Sequence, residues 1–163
     1  MKKDGIRAKT LTLYEDTLYT EKALFWLATN WRRAHYLIGL PSCIVSALAG
    51  VAVINEAPAL AAFLTITAAV LTALLTFLDP KATYTKYHEC GVGYGILRGK
   101  VERFKDIDLE GKFDEEAARI MLERFAEEKG ELQKTAPHTG GVAYFFAKRS
   151  IQKGQHTPDA APE

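Results

Sequence analysis

Two long runs of apolar residues, from 36 to 54 and from 57 to 78, dominate the pattern of hydrophobic and polar positions along this chain. Only Asn55 and Glu56 separate them, and neither run contains a formal charge. A helix of about 20 residues, which rises about 1.5 Å per residue, crosses the roughly 30 Å hydrocarbon core of a bilayer. A helix of a soluble bundle keeps a polar face instead. The pattern therefore predicts two membrane-spanning helices joined by a short turn.

The charges that flank these runs indicate which side of the membrane they face. Arg32 and Arg33 precede the first run, Lys81 and Lys86 follow the second, and the turn carries only Glu56. Basic residues are concentrated on the cytoplasmic side of membrane proteins. Both termini of this multi-pass protein are therefore predicted to be cytoplasmic.

The remaining residues are predicted to form helices outside the membrane. Residues 1–13 are basic and without a clear period, which favours a flexible tail, and an amphipathic helix leads into the first run. Apolar residues at helical spacing predict three later helices, over about 81–105, 114–134 and 142–153. Residues 154–163 are predicted to form a disordered tail. The third of these combines aromatic and basic residues, so it lies either on the inner membrane surface or against the other helices.

The predicted fold class is an all-α membrane protein. It comprises a two-helix transmembrane hairpin with an N-terminal amphipathic helix and a C-terminal cytosolic helical bundle. Residues 14–153 are interpreted as a single domain.

Small and weakly polar residues recur at helical spacing within both runs. In the first they are Ser42, Ser46 and Gly50, at intervals of four, a pattern that lets another helix approach closely. In the second, one stripe contains Thr65, Thr72 and Thr76. Two interpretations of this stripe stay open: its hydroxyls bond to backbone carbonyls or across a helix interface, or they line an aqueous path.

The helix predicted over 81–105 carries two further patterns. Its apolar residues follow a heptad repeat typical of helix packing, at Tyr87, Cys90, Tyr94, Leu97, Val101 and Phe104. Its glycines form a neighbouring stripe at Gly91, Gly95 and Gly99. Because a glycine inside a helix costs up to about 1 kcal/mol relative to alanine, this stripe predicts close helix contact, within the chain or between copies. A break in the helix is the alternative.

Composition and motifs bear on the chemistry. The net charge of +1 does not favour a nucleic-acid partner. No nucleophile is paired with a base and four histidines are scattered, so neither an enzyme nor a metal or cofactor site is expected. The basic residues Arg98, Lys100 and Arg103, close to aromatic residues, are a candidate site for a phosphate-bearing ligand. An ordinary solvated face is the alternative.

The order of features resembles the SLATT domain family, the SMODS and SLOG-associating two-transmembrane effector domain. The resemblance covers about residues 14–153. The features that carry it are Trp31-Arg32-Arg33-Ala34 before the first run, Phe77-Leu78-Asp79-Pro80 after the second, Tyr84, Tyr87 and Tyr94, and Ala136-Pro137.

This resemblance implies an effector of bacterial antiphage and conflict systems in the inner membrane. Such a protein contacts membrane lipid and forms a homo-oligomer that disrupts the membrane as a pore. Its trigger is a nucleotide signal, such as a cyclic nucleotide, or a nucleotide-sensing partner protein. The family implies no catalytic residues. The alternative is a membrane-anchored scaffold that recruits a cytosolic partner through the heptad positions without forming a pore.

Overall fold

The computed structural model describes residues 3–108 and 115–137, and all regular structure in these two ranges is helical. The elements are α1 (Lys3–Ile54), α2 (Pro58–Leu78), α3 (Pro80–Arg103), a π-helical turn (Phe104–Asp108) and α4 (Glu115–Thr135). The predicted all-α class is confirmed. The helix predicted over 142–153 and the tail over 154–163 lie outside the described residues.

Chain packing divides the described residues into two compact units. We call residues 3–27, 86–108 and 115–137 the three-helix unit, after the parts of α1, α3 and α4 that it contains. We call residues 28–85 the two-helix unit, after the rest of α1 and α2.

The turn between α1 and α2 is closed by backbone hydrogen bonds. The N–H of Ala57 donates to the carbonyl of Ala52 at 3.0 Å, and the N–H of Glu56 donates to the carbonyl of Val53 at 3.2 Å. This pair of bonds defines a Schellman motif, in which Glu56 takes the left-handed position with φ of 54°. Pro58 then starts α2 at a position where its missing N–H costs no hydrogen bond.

Asp79 ends α2 and also begins α3. Its backbone, with φ of 36°, is left-handed, and its N–H donates to the carbonyl of Leu75 at 3.1 Å. Its Oδ1 accepts a hydrogen bond of 3.2 Å from the N–H of Ala82. Pro80 occupies the first position of α3. One residue thus closes one helix and caps the next.

The first residues of α1 belong to the core of the three-helix unit, so the prediction of a flexible tail over residues 1–13 is wrong for the part the structure describes. Ile6 and Thr10 are fully buried. The hydroxyl of Thr10 donates to the carbonyl of Ile6 at 2.9 Å, and that of Thr17 donates to the carbonyl of Tyr14 at 2.9 Å. Because these hydroxyls are satisfied within the helix, threonine is tolerated in the core.

The core of the three-helix unit joins α1, α3 and α4. Its buried members are Ile6, Tyr14, Leu18, Leu97, Val101, Phe104, Ala118 and Phe125. The rings of Phe104 and Phe125 meet edge to face with centroids 5.6 Å apart. Four of the predicted heptad positions are at most 3% exposed: Tyr94, Leu97, Val101 and Phe104. This face of α3 therefore packs as predicted, against helices of the same chain.

Two helices, α1 and the one that begins at Pro58, are long and apolar enough to cross a membrane. Only 17% and 11% of their most apolar segments are buried. A core helix of a soluble protein is mostly buried, whereas here large side chains such as Leu37 and Phe63 are exposed. An exposed apolar surface of this extent requires another apolar environment.

Candidate functional site

Within the two-helix unit, α1 and α2 pack through small residues. The buried ones are Ser42, Ala49, Ala52, Ala61 and Ala68. The hydroxyls of Ser42 and Thr72 share a hydrogen bond of 3.0 Å. A β carbon at Gly39 would lie 3.8 Å from Cδ1 of Leu75. These contacts fix an antiparallel register between the two helices.

One side of this helix pair presents small or weakly polar residues. They are exposed and directly follow packed positions along each helix: Cys43, Ser46 and Gly50 on α1, and Ala62, Thr65, Ala69, Thr72 and Thr76 on α2. On α1 this small-residue segment lies between Leu40 and Val53, which are exposed on the same side. Successive residues turn by about 100° around a helix axis. In an antiparallel pair, the residue directly after a packed position therefore lies on the same side of the pair in both helices. We call the eight small or weakly polar residues the small face.

The opposite side presents large apolar residues, which precede the packed positions. The exposed ones are Leu37, Ile44, Leu48 and Val51 on α1, and Leu60, Phe63, Val70 and Leu74 on α2. We call these residues the large face. The pair of helices is therefore asymmetric: the large face is suited to lipid tails, and the small face to close approach of another helix.

The stripe of Ser42, Ser46 and Gly50 is not the main contact between α1 and α2. Only Ser42 is buried, and in the described part of the chain no atom outside the local helix backbone lies within 4 Å of the position that a β carbon of Gly50 would take. An interval of four residues turns about 40° beyond a full helical turn. The stripe therefore rotates away from α2, and Ala49 and Ala52 make the contact instead.

The three threonines predicted to line a path or to pack are hydrogen-bonded within the unit. Thr65 donates to the carbonyl of Ala61 at 2.8 Å, and Thr76 donates to the carbonyl of Thr72 at 3.0 Å. The third hydroxyl, of Thr72, bonds to Ser42. A hydroxyl oxygen that donates its proton can still accept a hydrogen bond from water. The small face is therefore weakly polar, with the hydroxyl groups of its threonines already satisfied.

Two of the three predicted glycines of α3 make close contact with α1. A β carbon at Gly91 would lie 3.2 Å from the ring of Phe25, and one at Gly95 would lie 3.4 Å from the carboxylate carbon of Glu21. At Gly99 no atom lies within 4 Å. The predicted helix contact is thus made at the first two positions and is absent at the third among the described residues.

Arg98 takes part in the contact between α3 and α1. The sequence grouped it with Lys100 and Arg103 as a candidate ligand site, but the structure places those two residues at a different site. The Nε of Arg98 donates to Oε2 of Glu21 at 2.7 Å, and Nη1 lies 3.5 Å from Glu102. Burial alone lowers the pKa of Arg98, but the hydrogen bond and charge of Glu21 outweigh it and raise the pKa above its ordinary value. Arg98 is therefore committed to an ion pair in which the Glu21 side chain is only 9% exposed.

Lys100 and Arg103 line a cavity of about 310 Å³ between α3 and α4. Its full lining is Lys100, Arg103, Phe104, Met121, Arg124, Phe125 and Glu128. Three cations face one carboxylate, and that carboxylate, of Glu128, bonds to Nζ of Lys100 at 2.6 Å. Two buried phenylalanine rings support the cavity. We call it the basic cavity; its charge and size suit an anionic ligand.

Arg124 belongs to the basic cavity but was not predicted. It lies on α4, separated from Arg103 by 21 positions in the sequence, so only the packing of α4 on α3 brings the two together. A regular spacing within one helix is visible in a sequence, whereas a pairing between helices is not.

A metal site within residues 3–108 and 115–137 requires several ligand side chains close together. No group of three or more histidine, cysteine or acidic side chains there is arranged to hold a metal ion. Comparisons of the whole chain with protein-family models, with curated proteins and with solved structures find no match.

Proposed function

We propose that this chain is a two-span effector of the inner membrane, similar to the SLATT domains of bacterial conflict systems. In this proposal both termini are cytoplasmic, and α1 and α2 form a transmembrane hairpin. Copies associate through the small face and open a pore when the three-helix unit receives a signal. The asymmetry between the small face and the large face is the observation that carries the proposal.

Inside a bilayer, no hydrophobic effect drives one helix against another. Lipid tails solvate leucine and valine as well as another helix does, so the large face gains little from association. Small residues let helix backbones approach closely, and this adds van der Waals contact that lipid does not supply. Association through the small face brings Thr65, Thr72 and Thr76 of several copies together. Their oxygens then line a weakly polar, uncharged path.

The basic cavity supports a trigger on the cytoplasmic side. Its cations and aromatic rings suit a phosphate-bearing ligand such as a nucleotide. A ligand held by both Arg103 on α3 and Arg124 on α4 changes the free energy of packing between α3 and α4. A nucleotide-sensing partner protein is the second source of a signal.

The alternative, a scaffold that recruits a partner through the heptad positions of α3, has less support. Tyr94, Leu97, Val101 and Phe104 are buried within the chain, so they are covered before a partner arrives. A replacement of residues 36–78 by an unrelated two-span anchor separates the two functions, since a scaffold retains its activity and a pore loses it.

Leakage of dye from liposomes tests the proposal. We expect the full chain, reconstituted in vesicles, to release dye when members of a panel of cyclic nucleotides are added. The double variant R103Q/R124Q lowers this response by about tenfold or more, since each charge-assisted contact contributes about 1.5–3 kcal/mol.

The matched control is R119Q, which removes an exposed arginine of the same helix that pairs with Glu123. This control retains the response. Absence of leakage with every nucleotide, and with the nucleotide-free protein at high density in the vesicle, contradicts the pore.

A further inference from the structure

A second cavity lies in the two-helix unit, at the ends of the two apolar runs. Its volume is about 390 Å³, and it is lined by Arg32, His35 and Tyr36 from α1 and by Lys81 and Tyr84 from α3. The lining has two cations and no carboxylate. We call it the headgroup cavity. It differs from the basic cavity in unit, lining and position along the helices.

The depth of this cavity follows from helix geometry. Arg32 lies four residues before Tyr36, where the first run begins, and Lys81 lies three residues after Leu78, where the second run ends. At about 1.5 Å per residue, these side chains branch from the helices about 4–6 Å beyond the apolar runs. The polar layer of a bilayer adds about 5–7 Å on each side of the hydrocarbon. In the proposed membrane orientation, both cations therefore lie at the level of the lipid phosphates.

His35 gives an independent indication of a ligand. Its Nδ1 is buried and has no hydrogen-bond partner in the described part of the chain. Buried polar atoms are nearly always hydrogen-bonded, and an exception calls for an explanation such as a bound water, ion or ligand. The imidazole packs edge to face on the ring of Tyr36, with centroids 5.5 Å apart. The unsatisfied nitrogen thus belongs to a residue that lines the cavity.

We propose that the headgroup cavity binds the phosphate group of an anionic phospholipid from the cytoplasmic leaflet. Arg32 supplies a planar fork of donors, which matches phosphate oxygens, and Lys81 supplies a point charge from the other side. Tyr36 and Tyr84 add rings of the kind that membrane proteins place at this level. The bound lipid links the start of the first span to the end of the second. This proposal rests on the membrane orientation proposed above and is independent of pore formation.

Retention of lipid by the purified full chain in detergent tests the proposal, with native mass spectrometry as the readout. We expect phosphatidylglycerol to be retained in preference to phosphatidylcholine. The preference falls by about tenfold or more for each cation removed, in R32Q and in K81Q, because a charge-assisted contact to a phosphate oxygen contributes at least about that factor in binding.

The matched control is R33Q, which removes the neighbouring exposed charge from the same helix without changing the lining. We expect R33Q to retain the preference for phosphatidylglycerol. If R33Q loses as much of this preference as R32Q, the effect is one of general surface charge and the proposal is overturned. If R32Q fails to fold, as judged by circular dichroism, K81Q alone decides, because Lys81 lines the cavity from a different helix.

Inorganic phosphate and glycerol phosphate distinguish a soluble ligand from a lipid. If either one displaces phosphatidylglycerol, and its own binding depends on Arg32 and Lys81, the ligand is a soluble phosphate and the lipid assignment is overturned. Dye leakage is not the readout, so a failure of the pore leaves this result unaffected. If the protein does not associate with vesicles in a flotation assay, the proposed membrane orientation is contradicted, and the lipid assignment that rests on it is overturned.

Discussion

Leucine at position 50 is expected to abolish both self-association and membrane leakage while the chain remains folded. Gly50 is exposed on the small face, and within residues 3–108 and 115–137 no atom outside the local helix backbone lies within 4 Å of the position of a β carbon there. A leucine side chain therefore fits within one copy. Between two closely packed helices it introduces overpacking, which costs about 1–3 kcal/mol at each contact. In the middle of that range, association is about thirtyfold weaker at each contact.

The adjacent residue provides the control for this variant. Val51 lies on the large face, so V51L also adds apolar volume next to position 50 but directs it toward lipid. We expect V51L to retain the oligomer and the leakage. Sedimentation in detergent measures the first and dye release the second. Wild-type leakage in G50L contradicts association through the small face.

Removal of the Glu21 carboxylate is expected to have the largest effect on stability. In E21A, the guanidinium of Arg98 loses its 2.7 Å partner and stays largely buried, with only 20% of its side chain exposed. Breaking a buried ion pair on one side costs about 3–5 kcal/mol. Because Arg98 is partly exposed and Glu102 remains 3.5 Å away, we expect about 2–3 kcal/mol, at the lower end for such truncations.

Denaturant unfolding of the full chain in detergent, followed by circular dichroism, measures this loss. E123A is the control, because Glu123 and its partner Arg119 are both more than 60% exposed. Such exposed pairs contribute about 0–1 kcal/mol. Equal midpoints for E21A and E123A are incompatible with the ion pair as a support of the three-helix unit.

The sequence predicted the elements whose boundaries are set by local chemistry. The ends of the two apolar helices follow from Asn55-Glu56 and from Asp79-Pro80, where turn and capping residues interrupt the apolar pattern. The packed face of α3 was also predicted, because the heptad spacing of large apolar residues leaves few ways to bury them.

The features that the sequence did not predict depend on how polar groups are hydrogen-bonded or on contacts between helices. Thr10 appears polar in the sequence, yet its hydroxyl bonds within α1 and the residue is buried. The start of α1 was therefore mistaken for a tail. The interval of four at Ser46 and Gly50 does not identify the helix that approaches them, because α1 and α2 pack through Ala49 and Ala52 instead. Arg124 joined the basic cavity only through tertiary packing.

Disulfide cross-linking through Cys43 tests the central claim, association through the small face, most directly. Cys43 is an exposed, free cysteine on this face, and in a C90S background it is the sole cysteine of the chain. In membranes treated with a mild oxidant, we predict covalent dimers through Cys43. We predict none when the cysteine is moved to the large face, in the variant C43A/I44C/C90S. Dimers that form as efficiently through position 44 as through Cys43, or through position 44 alone, contradict the claim.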